Sequence, residues 1–122
     1  MAKVLVIEDE EILRERILDI LDTNGFSAVG AGDGRRGLQL AKEYVPELIL
    51  CDIRIPELDG YEVLRALRQD PTTATIPFVF LTAENIQNVV RQGQVLGASG
   101  YLTKPFTTAQ LLDVIGKERG DR

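Results

Sequence analysis

The sequence predicts an α/β fold: a doubly wound parallel sheet of five strands in the order 2-1-3-4-5, with five helices covering its two faces. Two observations carry that prediction. Short apolar runs without polar alternation recur along the chain, as strands buried on both faces do, and segments with apolar residues at helical spacing separate them. Strands joined by helices run parallel, and right-handed crossovers leave few orders open. A third observation links the fold to chemistry. Acids, a hydroxyl and a lysine stand where the strands should end, and open sheets of this kind bind ligands beyond the carboxyl ends of their strands.

The elements follow in order. Lys3-Val4-Leu5-Val6-Ile7 is a short run rich in β-branched residues and reads as a buried strand. From Glu10 to Asn24, Leu13, Ile17, Ile20 and Leu21 fall on one helical face, and Gly25 is the stop. Phe26 to Ala31 reads as a second, weaker strand. Arg35 to Tyr44 predicts a helix, closed by Pro46. Leu48-Ile49-Leu50-Cys51 is a third strand, and Asp52 to Gly60 a loop with Pro56 and Asp59-Gly60 as turn signals. Val63, Leu64 and Leu67 mark a third helix, and Pro77-Phe78-Val79-Phe80-Leu81 a fourth strand. Ile86, Val89 and Val90 begin a helix that ends near Gly97. Tyr101-Leu102 is a short fifth strand, and Leu111, Leu112 and Ile115 lie on a last helix. This is the flavodoxin-like arrangement, whose switch point lies between the first and third strands.

At 122 residues the chain has the size of one domain, and no repeat, low-complexity stretch or linker divides it. A single domain over residues 1–122 is expected, with its core at about 3–118 and a polar tail or the start of a linker at 119–122. An apolar fraction of 44% is enough for a packed core and argues against disorder. No apolar run approaches the roughly 18 residues of a membrane span, and no secretory signal opens the chain, so a cytoplasmic address without membrane association is expected. Cys51 is the only cysteine, which leaves no disulfide within the chain. The net charge of −5 argues against nucleic-acid binding by this domain alone. The chain contains no histidine, so histidine catalysis and an internal phosphohistidine are excluded. Any phosphoryl group must arrive from outside.

Glu8 and Asp9 follow the first strand and Asp52 follows the third, so three carboxylates should converge at the switch point. Like charges held close repel, and a cluster of them calls for a cation. Hard oxygens without histidine or thiolate favour Mg2+ over Zn2+. Thr82 ends the fourth strand, with Ala83 beside it leaving room for a ligand. Lys104 ends the fifth and can supply a positive charge to the same edge. Each has a part in phosphoryl transfer: Asp52 as nucleophile on the central strand, Thr82 as a hydrogen-bond donor, Lys104 and the metal as charge neutralisers. Taken alone, the Lys104–Pro105 bond would be trans, the common form of X-Pro bonds.

These landmarks resemble the receiver domain of two-component response regulators. The stretches that carry the resemblance are Val6 to Glu10, Cys51 to Gly60, Leu81-Thr82-Ala83 and Gly97 to Phe106, within a likeness running from about Lys3 to about Glu118. The resemblance implies that Asp52 is the phosphoacceptor. It implies that Glu8, Asp9, Asp52 and the backbone carbonyl of Arg54 hold Mg2+ or Mn2+, and that Thr82 and Lys104 contact the phosphoryl group. It also implies a cis Lys104–Pro105 bond and makes Tyr101 the aromatic switch residue, turning inward as Thr82 moves. The protein is then a signalling switch rather than an enzyme, catalysing only its own phosphorylation and dephosphorylation. The implied partners are a histidine kinase or a histidine-containing phosphotransfer protein upstream and an effector domain or protein downstream. The surface from roughly Glu84 to Glu118 would carry the signal, and a homodimer is open.

Three other readings of the same residues compete. A haloacid-dehalogenase-type phosphatase needs a second aspartate two residues after the nucleophile, where this chain has Arg54. A nucleotide or flavin binder needs a glycine-rich phosphate loop after the first strand, where this chain has Glu8-Asp9-Glu10. A module that only binds partners would not need the full set of acid, threonine and lysine. Arg54 and Glu84 are also expected to form an ion pair at the rim of the pocket.

Overall fold

A computed structural model describes residues 3–83 and 86–119. Among these, strands and helices alternate: β1 Lys3–Ile7, α1 Glu11–Thr23, β2 Ser27–Ala31, α2 Gly34–Tyr44, β3 Leu48–Asp52, α3 Gly60–Gln69, β4 Phe78–Thr82, α4 Ile86–Leu96, β5 Gly100–Thr103 and α5 Thr108–Arg119. All strand pairs are parallel, and the sheet order is β2-β1-β3-β4-β5, as the sequence predicts.

The apolar runs within the strands have a simple cause. Alternate residues of each strand enter different cores on the two faces. Leu5, Ile7, Ile49, Cys51, Phe78 and Phe80 pack with Leu40 and Ala41 of α2, Val63, Leu64 and Leu67 of α3 and Val89 of α4. Val4, Val6, Leu48, Leu50, Val79 and Leu81 pack on the other face with Ile17 and Leu21 of α1 and Leu111 and Ile115 of α5. Each buried Val, Leu, Ile or Phe side chain among them contributes roughly 1.5–3 kcal/mol by leaving water. Ile7 pairs with Ala31 on one side and Cys51 on the other, and Asp52 pairs with Leu81, so the carboxyl ends of the strands are level.

The strand and helix limits depart from the sequence reading in instructive ways. β3 includes Asp52, expected in the loop that follows, while β4 ends on Thr82 as the sequence places it. Asp59-Gly60 is not a free turn but the start of α3. The Asp59 carboxylate accepts from the Glu62 backbone N–H at 2.9 Å, and the Glu62 carboxylate accepts from the Asp59 backbone N–H at 2.9 Å. This reciprocal box satisfies two helix-end donors and fixes where the β3–α3 loop ends. β5 extends to Gly100 and Thr103, whose lack of an apolar pattern hides them from a periodicity argument.

Arg68 of α3 ties the end of α4 in place. Its Nε and Nη2 donate to the Gly97 carbonyl at 3.2 and 2.9 Å, a cation at a helix C-terminus. At the end of α2, Val45 adopts a left-handed conformation, φ 44° and ψ 67°, where a β-branched side chain crowds its own backbone. Val45→Asn is therefore expected to stabilise the fold by about 1 kcal/mol. Thermal unfolding should show a midpoint roughly 4 °C higher. An unchanged or lower midpoint would count against backbone strain at this position.

Candidate functional site

The strand ends bring the acids together. Glu8 follows β1, Asp9 precedes α1, and Asp52 is the last residue of β3. One carboxylate oxygen from each lies within 4.8 Å of the others. Glu8 is buried, Asp52 half-buried and Asp9 exposed, so the cluster runs from core to solvent. Lys104, just past β5, reaches across the sheet edge. Its Nζ donates to Glu8 Oε1 at 2.7 Å and to Asp52 Oδ2 at 2.6 Å. Asp52 Oδ1 accepts the Ile53 backbone N–H at 2.6 Å, and Glu8 Oε2 accepts that of Glu10 at 3.1 Å. The Lys104–Pro105 peptide is cis.

Charge and burial pull against each other here. Burial pushes the Glu8 carboxyl above its ordinary range, and the nearby Asp52 charge adds to that. The Lys104 hydrogen bond and the Glu10 N–H oppose it without cancelling it. Burial alone would lower the Lys104 ammonium, but its hydrogen bonds to Asp52 and Glu8 and their charges outweigh that and raise it. Lys104 therefore stays charged, and its stabilising contribution is lost only as pH climbs through that raised value. One ammonium still faces three carboxyl groups. The donor set, hard oxygens without sulfur or imidazole, fits a small divalent cation.

Two supports were not read from the sequence. Arg14 of α1 donates from Nη1 to the Glu8 carbonyl at 2.8 Å and so steadies the backbone of the acidic pair. Its signal, an arginine on α1 six residues after Glu8, means nothing until the helix is folded back on the sheet. Gly60 lets the β3–α3 loop close against Asp52. Its N–H donates to the Ile53 carbonyl at 2.8 Å, and a Cβ there would lie 2.5 Å from the Asp52 carbonyl oxygen.

Thr82 is 1% exposed at the end of β4, and its carbonyl accepts the Lys104 N–H at 2.7 Å, which links the last turns of β4 and β5. Arg54 is exposed in the loop after β3. Glu84, its expected rim partner, lies outside the described residues. Tyr101 is turned to α4: its hydroxyl donates to the Val90 carbonyl at 3.2 Å and its ring stacks on Phe80. Cys51, beside Asp52, is fully buried, and burial holds its thiol far above the usual range, as suits a small core residue. A cleft of about 320 Å³ opens beside Lys104, lined by Leu13, Arg16, Ala83, Lys104, Pro105 and Phe106. No helix among the described residues is long and apolar enough to cross a membrane.

The chain is similar to known proteins in sequence and in fold. A family model described as the response regulator receiver domain matches residues 4–116. Over 113 residues the chain is 38% identical to the DNA-binding dual master transcriptional regulator RpaA of Synechocystis, covering 92% of this chain and 46% of that protein. The chain spans about half the length of this and other curated relatives that it matches. The chemotaxis protein CheY4 of Vibrio cholerae superposes with a TM-score of 0.92 at 31% identity, over 96% of this chain and 98% of that one. The receiver domain of a sensor histidine kinase of Pseudomonas aeruginosa, solved with a magnesium ion coordinated in its active site cleft, superposes with a TM-score of 0.89 at 28% identity, over 98% of each chain.

Proposed function

The chain belongs to the response regulator receiver domains of two-component signalling, and from that premise we propose that it accepts a phosphoryl group on Asp52 and changes its surface in response. One observation carries the proposal: a single ammonium, Lys104 Nζ, bridges Glu8 and Asp52 in a cluster that also includes Asp9.

In this reading Asp52 Oδ2 attacks the phosphorus of a phosphohistidine on a histidine kinase or histidine-containing phosphotransfer protein. A P–O bond forms, the P–N bond breaks, and its electron pair returns to the imidazole of the donor. The Ile53 N–H, bound to Oδ1, holds the carboxylate in place for attack. Lys104 exchanges its bond to Asp52 for one to the phosphoryl oxygen, and Thr82 donates to another. Glu8, Asp9, Asp52 and the Arg54 carbonyl would hold Mg2+ or Mn2+. When bound, the ion supplies positive charge to offset that of the carboxylates and the incoming phosphoryl group. The response would pass through Thr82 and Tyr101 to the surface of α4, β5 and α5, where an effector reads it. We assign residues 3–118 to one such domain, place it in the cytoplasm, and leave a homodimer as a testable outcome of phosphorylation.

The test is incubation with acetyl phosphate and Mg2+, followed by intact mass. A gain of one phosphoryl group that disappears when EDTA replaces Mg2+ is expected. An unchanged mass with Mg2+ present would overturn the proposal.

The ion should also act on stability. Burial raises the Glu8 carboxyl above its ordinary value of 4.5, so the folded chain releases that proton at higher pH than the unfolded chain does. Without the ion, stability therefore falls as pH rises through the interval above that value. Mg2+ competes for the same oxygens, so its stabilisation is expected to grow across that interval. At a hundredfold excess over Kd it should reach about 2.7 kcal/mol near neutral pH. Asp9→Asn is expected to shift the titration to higher Mg2+ concentration. Thermal unfolding at several Mg2+ concentrations and pH values measures both; a pH-independent effect, equal in Asp9→Asn, would contradict them.

A further inference from the structure

Gly93 occupies the interior of α4, where glycine is a poorer helix former than alanine. The space left by its missing Cβ is filled by Tyr101. A Cβ at position 93 would lie 2.6 Å from the Tyr101 hydroxyl oxygen, 2.9 Å from its Cε1 and 3.2 Å from Ala98 Cβ. Beside that space, the same hydroxyl donates to the Val90 carbonyl of α4 at 3.2 Å. On the sheet side the Tyr101 ring is stacked on Phe80 of β4, with centroids 6.2 Å apart and planes 25° apart. Tyr101 thus rests with its ring against β4 and its hydroxyl in a notch on α4, and that notch exists only because residue 93 has no side chain.

We propose that Gly93 is a positioning residue that seats Tyr101 on α4 in the resting state, and that this seat sets the threshold for switching. The proposal rests on the reading above, in which Tyr101 moves when Asp52 is phosphorylated. A switch of this kind is an equilibrium between two packings, and a ligand shifts it only by its differential affinity for them. Whatever weakens the seated packing leaves less for the phosphoryl group to overcome. By reciprocity, it also tightens binding of a phosphoryl mimic.

Gly93→Ala is the decisive change. Alanine suits a helix, so the backbone of α4 is favoured and the crowding falls on the tip of the Tyr101 side chain. The protein is labelled with 3-fluorotyrosine and followed by fluorine NMR, with the Tyr101 resonance assigned from a Tyr101→Phe sample. Beryllofluoride with Mg2+ serves as the phosphoryl mimic. In Gly93→Ala without the mimic, the Tyr101 resonance is expected to leave its wild-type resting position, and beryllofluoride is expected to bind about fivefold tighter. In a Tyr101→Ala background the same Gly93→Ala change should leave beryllofluoride affinity unaltered, since no ring remains to be unseated. An unmoved Tyr101 resonance would overturn the proposal, as would an equal gain in affinity without the ring, which would trace the effect to helix propensity alone. If Gly93→Ala moves Tyr101 but beryllofluoride leaves the wild-type resonance in place, the failure is that of the switch reading. Gly93 then packs Tyr101 without setting any threshold.

Discussion

Asp52→Asn is expected to abolish phosphoryl uptake and leave the fold intact. A carboxamide has the shape of a carboxylate but is not a nucleophile toward phosphorus. Its oxygen can still accept the Ile53 N–H that now binds Oδ1 at 2.6 Å. The substitution also removes one of three negative charges held within 4.8 Å of each other, so the ion-free protein should unfold at the same temperature or higher. Intact mass after exposure to acetyl phosphate, paired with a thermal scan, separates the two effects. Uptake at the wild-type level would mean that a different carboxylate accepts the group. Loss of uptake together with loss of the folded baseline would leave Asp52 as a structural residue.

Lys104→Met should have the next largest effect, and a double one. The Lys104 side chain is 18% exposed, and its ammonium lies between the side chains of Glu8, 1% exposed, and Asp52, 14% exposed. Removing it leaves two carboxylates without their counter-charge, a change that costs about 3–5 kcal/mol when a buried pair is broken. Against a total stability of roughly 5–15 kcal/mol, that is a large share, and the midpoint without divalent ion should fall by about 10 °C or more. Mg2+ should restore much of the loss, because it brings positive charge to the same oxygens. Chemistry should suffer separately. A charged donor aimed at a developing anion is worth about 10²–10³ in rate, so phosphorylation by acetyl phosphate should slow by that factor even with Mg2+ saturating. A destabilisation that Mg2+ does not relieve, or an unchanged rate, would show that Lys104 does not serve this cluster.

The strands were legible in the sequence because burial on both faces makes their interiors continuous apolar runs. Val4 to Ile7 and Phe78 to Leu81 are the plainest cases. The acid cluster was legible for a topological reason: once the order 2-1-3-4-5 is accepted, Glu8, Asp9 and Asp52 have only one edge to meet at. The start of α3 was less so, since Asp59-Gly60 is also good turn chemistry, and only the Glu62 side chain returning to the Asp59 N–H decides between the two. Arg14 and Gly93 could not be found from sequence, and Gly60 showed there only as turn chemistry. Each acts through a partner that folding brings near: the Glu8 carbonyl, the Tyr101 ring and the Asp52 backbone.

The most direct measurement is reductive trapping. Protein incubated with phosphoramidate and Mg2+ is treated with borohydride, which converts an acyl phosphate of aspartate to homoserine, and the peptides are sequenced by mass. Homoserine at position 52, and at no other position, is the expected result. Homoserine at another acidic residue, or none despite phosphoryl uptake, would contradict the assignment of Asp52 as acceptor.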